Sequence, residues 1–169
     1  MKQLVFVFYT KIPNKYNWFE KLQLKAIRWW TKSDVFHVEA VIDDKYIEAT
    51  THGVVVADLH KFSDKYKYIS VDVETTEKHH KQIKDWLFSL EGEEYDWNAI
   101  WWRQFINIGS QKKNKWMCSE IANKVLQLYL VEPFVRTESS NISPGEIYND
   151  LLNIGHIKTA EELNIERGF

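Results

Sequence analysis

The hydrophobic period of this chain changes near Thr75, and that change constrains the fold more than any other feature. Before it, short runs rich in Val, Ile, Phe and Tyr read as strands, at 3–10, 35–42, 45–50, 54–56 and 66–73. One helical stretch interrupts them. Asn17 with Glu20 forms a start signal, and Phe19, Leu22, Ala26 and Trp30 follow on one face before an end near Thr31-Lys32-Ser33. After Thr75 spacings of three and four dominate. Ile83, Trp86, Leu87 and Leu90 make the inner face of a helix that stops at Glu91-Gly92. Strands gathered mainly in one half and helices in the other predict an α+β fold with an antiparallel sheet.

Further helices are expected over 97–108, from Cys118 to Leu130, and from Ser143 to about Asn153. Ser143-Pro144-Gly145-Glu146 places an N-cap, a first-position proline and a capping carboxylate in order. The Cys118 helix is apolar over most of its circumference, at Ile121, Ala122, Val125, Leu126 and Tyr129, so it should be central and covered on several sides. The 169 residues suffice for one domain. We expect that domain over 1–153, followed by a tail over 154–169.

Composition narrows the function classes. A net charge of −2 gives no clustered cationic excess, so a nucleic-acid partner is not expected. The three lysines of the segment Lys112–Lys115 read as a solvated loop. The apolar run from Leu4 to Tyr9 is short, stops at Lys11 and lacks a small-residue cleavage site, so it reads as a buried strand. No window holds the roughly 18 apolar residues of a membrane span. The expected compartment is a reducing cytoplasm. One cysteine, Cys118, excludes an intrachain disulfide and a zinc site of the Cys-x-x-Cys type.

That thiol stands where polar loop gives way to apolar helix. At a helix N-terminus the unpaired N–H groups and the dipole favour thiolate over thiol. A thiolate nucleophile needs a base, and the base an orienting partner. His37 lies inside an apolar strand whose alternation puts Val35, His37, Glu39 and Val41 on one face. With Asp43-Asp44 as a two-residue turn, Ile42 faces Lys45, Glu39 faces Glu48 and His37 faces Thr50. Glu48 is then diagonal to His37 on the same face. One imidazole and two carboxylates on a buried face are costly unless they pair.

The segment from His37-Val38-Glu39-Ala40 through Asp43-Asp44 to Glu48-Ala49, followed by Gly53-Val54-Val55, resembles the histidine hairpin of NlpC-type papain-like cysteine hydrolases. Here the cysteine helix, Trp116-Met117-Cys118-Ser119-Glu120, follows the hairpin. That order is similar to the circularly permuted branch of YiiX-like and lecithin–retinol acyltransferase-like proteins. Tyr95-Asp96-Trp97 and Ile142-Ser143-Pro144 resemble its flanking segments. The resemblance spans roughly residues 3–152. It implies a permuted papain-like fold, in which an antiparallel sheet packs against the cysteine-bearing helix and flanking helices. It also implies Cys118 as nucleophile, His37 as base and then acid, and Glu48 as the residue holding the imidazole. Tyr95 enters as a second oxyanion donor by the resemblance alone. Glu39 stands where the unpermuted family has Gly, which puts a second carboxylate beside the imidazole.

The expected activity is a cysteine hydrolase or acyltransferase acting on a small acyl, lipid or peptide substrate through an amide, ester or thioester, without a cofactor. The alternatives are a cell-wall peptidase acting on peptidoglycan stem peptides and a papain-like binding module without turnover. Metal binding is not expected. His79 and His80 are adjacent on a helix and diverge, and His52, His60 and His156 lack a partner at ligand spacing. The pairs Trp29-Trp30 and Trp101-Trp102 are either core or the walls of an acyl groove. Docking on a membrane surface through them and the Lys112–Lys115 loop is an alternative ranked below both of these readings.

Overall fold

A computed structural model describes residues 1–12, 18–50, 52–95, 115–136 and 142–168. In chain order the elements are β1 (Lys2–Tyr9), α1 (Trp18–Thr31), β2 (His37–Ile42), β3 (Lys45–Thr50), β4 (Gly53–Asp58), β5 (Lys67–Val73) and α2 (Glu77–Phe88). Then come the two-residue strands β6 (Glu94–Tyr95) and β7 (Lys115–Trp116), α3 (Cys118–Leu128), a 3-10 turn (Phe134–Arg136), α4 (Pro144–Ile154), β8 (His156–Lys158) and α5 (Ala160–Glu166). Asn17, the helix expected over 97–108, Trp101-Trp102 and most of the lysine loop lie outside the described residues. So do the side chains of Phe19, Ala26, Trp30 and Tyr95.

The architecture is α+β. One six-stranded sheet runs in the order β4-β3-β2-β1-β5-β8 with antiparallel neighbours. Asp43 takes the left-handed conformation at φ 55° and closes the β2–β3 turn, and Ile42 pairs with Lys45 as the two-residue turn requires. Gly53 opens β4 at φ 113°. A Cβ there would stand 2.7 Å from the Glu93 carbonyl oxygen, so only glycine lets the chain after α2 close on β4. Two backbone hydrogen bonds cross that junction, Val54 N–H to Glu93 O and Gly92 N–H to Val54 O.

Alternation sorts the strand residues onto two faces. On one, Leu4, Phe6, Phe8, Val38, Ala40 and Ile42 join Ile121, Ala122, Val125 and Leu126 of α3 in the main core. The breadth of the apolar surface on α3 is thus matched by cover on several sides. On the other face Val5, Val7 and Val41 pack with Phe62, Tyr68, Ala160 and Leu163. The last two belong to α5. The segment expected as a tail therefore adds an edge strand, β8, and a helix that closes the second face. Its start was legible: Thr159 and Glu162 form a capping box like that of Ser143 and Glu146 on α4.

Two expected inner positions are not core. Leu22 is 55% exposed, because α1 turns Leu24 inward onto Phe36 and Met117 instead. Trp86 is 36% exposed and meets Trp116 edge to face, with ring centroids 5.9 Å apart. Among the described residues, no helix is long and apolar enough to cross a membrane.

Candidate active site

Cys118 is the first residue of α3, and the helix start is built locally. Met117 is the N-cap in extended conformation, and the carboxylate of Glu120 accepts its backbone N–H at 2.9 Å. Met117 also packs on Phe36, the residue before His37. The helix N-terminus and the beginning of β2 are thereby pinned together, although α3 and His37 belong to opposite faces of the sheet. His37 opens β2 at the sheet's end, where its ring can reach the helix terminus.

The result is a connected set. His37 Nε2 lies 3.0 Å from Glu48 Oε2 across the hairpin, and Cys118 is near enough to act on the charge of the same imidazole. Cys118 is buried, at 6% exposure, while the His37 side chain keeps 18%. Burial opposes the imidazolium. Even so, the charge and hydrogen bond of Cys118, the hydrogen bond to Glu48 and the charge of Glu39 raise the His37 pKa well above its ordinary 6.5.

Glu39 occupies a different place. Its Oε1 is 4.0 Å from His37 Nε2, too far for a hydrogen bond, and it accepts one from the phenol of Tyr9. Burial and the neighbouring Glu48 push its carboxyl up to about 7. The two carboxylates stay in contact with each other, but Glu48 is the one at hydrogen-bonding distance from the imidazole, while Glu39 accepts from Tyr9. Tyr9 was not foreseen. It pairs with His37 in the β1–β2 register and meets its ring edge to face at 5.1 Å. Burial first, then the charge and hydrogen bond of Glu39, raise the phenol pKa far above its ordinary value.

The backbone of Tyr95 pairs in parallel with Trp116, two residues before Cys118. The sheet register thus brings that segment beside the helix start, while the Tyr95 side chain lies outside the described residues.

His37, Glu39 and Glu48 are also the described group whose donor atoms converge as metal ligands would, all within 4.8 Å of one another. Sequence spacing did not select this set. A metal on Nε2 and an Nε2–H donated to Glu48 exclude each other, because one nitrogen carries either a proton or a metal.

A second polar cluster braces the same elements from their far ends. Buried His80 of α2 has Nε2 at 3.1 and 3.2 Å from the two oxygens of Asp43, in the β2–β3 turn. Its Nδ1 is 2.7 Å from the hydroxyl of Tyr129, which directly follows α3. Lys84 completes the cluster at 2.7 Å from Asp43. Burial works against the Asp43 charge, but Lys84 and His80 hold its carboxyl below the usual value.

Compared with known proteins, the chain matches no family model and no curated sequence.

Proposed function

We propose that the protein is a cysteine-dependent acyl hydrolase or acyltransferase, built on a permuted papain-like fold and working in a reducing cytoplasm. One observation carries this reading: a thiol at a helix N-terminus acts on an imidazole whose Nε2 lies 3.0 Å from a carboxylate, the three groups coming from separate elements. The order of His37 hairpin before Cys118 helix supports the permuted form of the fold.

An imidazolium whose pKa is held above its ordinary value is the partner that stabilises a thiolate. In the first step Cys118 Sγ bonds to the substrate carbonyl carbon. The electron pair moves onto oxygen, where the Cys118 backbone N–H is available because first-turn amides have no intrahelical acceptor. Collapse breaks the bond to the leaving group, which takes the proton from His37. In the second step His37, now neutral, removes a proton from water or another acceptor as it attacks the thioester, and Cys118 leaves as thiolate. Glu48 keeps the ring oriented through both steps.

The test is turnover of a panel of acyl esters, thioesters and amides by wild type and Cys118→Ala. Hydrolysis lost in the variant supports the assignment. Equal hydrolysis by both proteins contradicts it.

A further inference from the structure

The outward side of α1 exposes much of two tryptophans and a leucine. Trp18, Leu22 and Trp29 are 77%, 55% and 76% exposed. With exposed Lys25 they fall at spacings of four, three and four, which is one stripe of a helix, and exposed Lys32 lies just past the helix end. The opposite side of the helix is occupied: Leu24 packs toward Phe36 and Met117. So the stripe is a second apolar face, about 16 Å long at 1.5 Å per residue.

Its charge identifies what covers it. Residues 18–32 contain Lys21, Lys25, Arg28 and Lys32 against Glu20 alone, in a chain whose net charge is −2. Arg28 is tied to Asp34, whereas Lys25 is exposed within the stripe itself and Lys32 just past its end. A protein partner would be met by an apolar patch with charges at its rim and few inside. Tryptophan, leucine and lysine interleaved on one short helix match a lipid–water boundary. There the rings sit at headgroup depth and lysine stems snorkel to phosphate.

We propose that α1 lies flat on an anionic lipid surface, with Trp18, Leu22 and Trp29 inserted and Lys25 and Lys32 against the headgroups. Because the inner face of α1 rests on Phe36 and Met117, the lipid surface lies one helix diameter, about 10 Å, from the residues that precede His37 and Cys118. The docking needs only the helix. Its outcome is independent of whether Cys118 turns over a substrate, and Cys118→Ala should bind lipid as wild type does.

The experiment is co-sedimentation of the full chain with large unilamellar vesicles, either pure phosphatidylcholine or phosphatidylcholine with about a third phosphatidylserine. Wild type is expected to pellet with the anionic vesicles, and less as salt rises. The triple variant Trp18→Ala/Leu22→Ala/Trp29→Ala should lose at least tenfold in partition. The variant Lys25→Glu/Lys32→Glu should lose roughly fivefold per lysine and no longer distinguish the two lipids. All substituted side chains are exposed, and thermal melts check that the variants remain folded. Absence of wild type from the anionic pellet overturns the proposal, as does equal pelleting of wild type and both variants. If wild type instead self-associates, does not pellet with lipid, and becomes monomeric in the triple variant, the stripe binds a second copy and the proposal is also overturned.

Discussion

Among the described residues, His37 and His80 each have Nε2 within hydrogen-bonding distance of a carboxylate, and His37 is the one beside a nucleophile. His37 has Glu48 on one nitrogen, the Cys118 thiol against its ring and a second carboxylate, Glu39, nearby. His80 has Asp43 on one nitrogen and the Tyr129 phenol on the other, with the ammonium of Lys84 balancing Asp43. A buried histidine paired with a carboxylate is therefore not itself a sign of chemistry. The difference lies in the charge around the pair. The His80 cluster is balanced and ties α2, the β2–β3 turn and the end of α3 together. In the His37 cluster the charge and hydrogen bond of Cys118, then the hydrogen bond of Glu48 and the charge of Glu39, raise the imidazole pKa.

Substitutions break this comparison most sharply at His37 and Cys118. Cys118→Ala and His37→Ala should each lower kcat/KM by about a thousandfold or more while leaving a folded protein, measured on any ester the wild type hydrolyses. Glu48→Gln and Glu39→Gln then separate the two carboxylates. Glu48→Gln should cost on the order of a hundredfold or more, because the imidazole loses its charged partner. Glu39→Gln should cost less than about fivefold. Equal losses would show that the imidazole is shared between them.

His80→Ala should do the reverse. It leaves Asp43 and the Tyr129 hydroxyl without their shared partner and is expected to destabilise by about 2–4 kcal/mol in urea unfolding. Activity per folded molecule should change little. A large loss of turnover with unchanged stability would mean that this cluster also serves the reaction.

The smallest expected effect is on pH dependence. The raised pKa of His37 contributes stability that is fully present below 6.5 and fades as pH climbs through the folded-state value. Glu39 keeps a proton in the fold up to about 7 that the unfolded chain releases near 4.5, so stability falls across that window too. Asp43 acts oppositely and elsewhere, since its depressed pKa loses stability only as pH falls below 3.8. Tm should accordingly drop by a few degrees from pH 5 to pH 8. Glu39→Gln should flatten the part of that slope below about pH 7. A Tm that rises over the same range would contradict the assignment of charge at the His37 cluster.

Local chemistry made much of this legible. The Asp43-Asp44 turn fixes the β2–β3 register and hence the diagonal from His37 to Glu48. The Ser143–Glu146 capping box fixes the start of α4, and the polar-to-apolar switch fixes Cys118 at a helix terminus. Non-local pairing hid the rest. Tyr9 reaches His37 only because β1 lies beside β2, and α1 with its flanking segments separates the two strands in sequence. His80 meets Asp43 and Tyr129 through packing of three elements. Periodicity could not choose between the two apolar stripes of α1. Leu22 is exposed while Leu24 packs on Phe36 and Met117.

The most direct measurement is intact-protein mass spectrometry with peptide mapping, after brief mixing with an acyl thioester or ester and an acid quench. A single added acyl group on the peptide bearing Cys118, absent in Cys118→Ala and strongly reduced in His37→Ala, is the predicted result. An acyl group carried by another residue, or labelling of Cys118 that is indifferent to the loss of His37, would contradict the account.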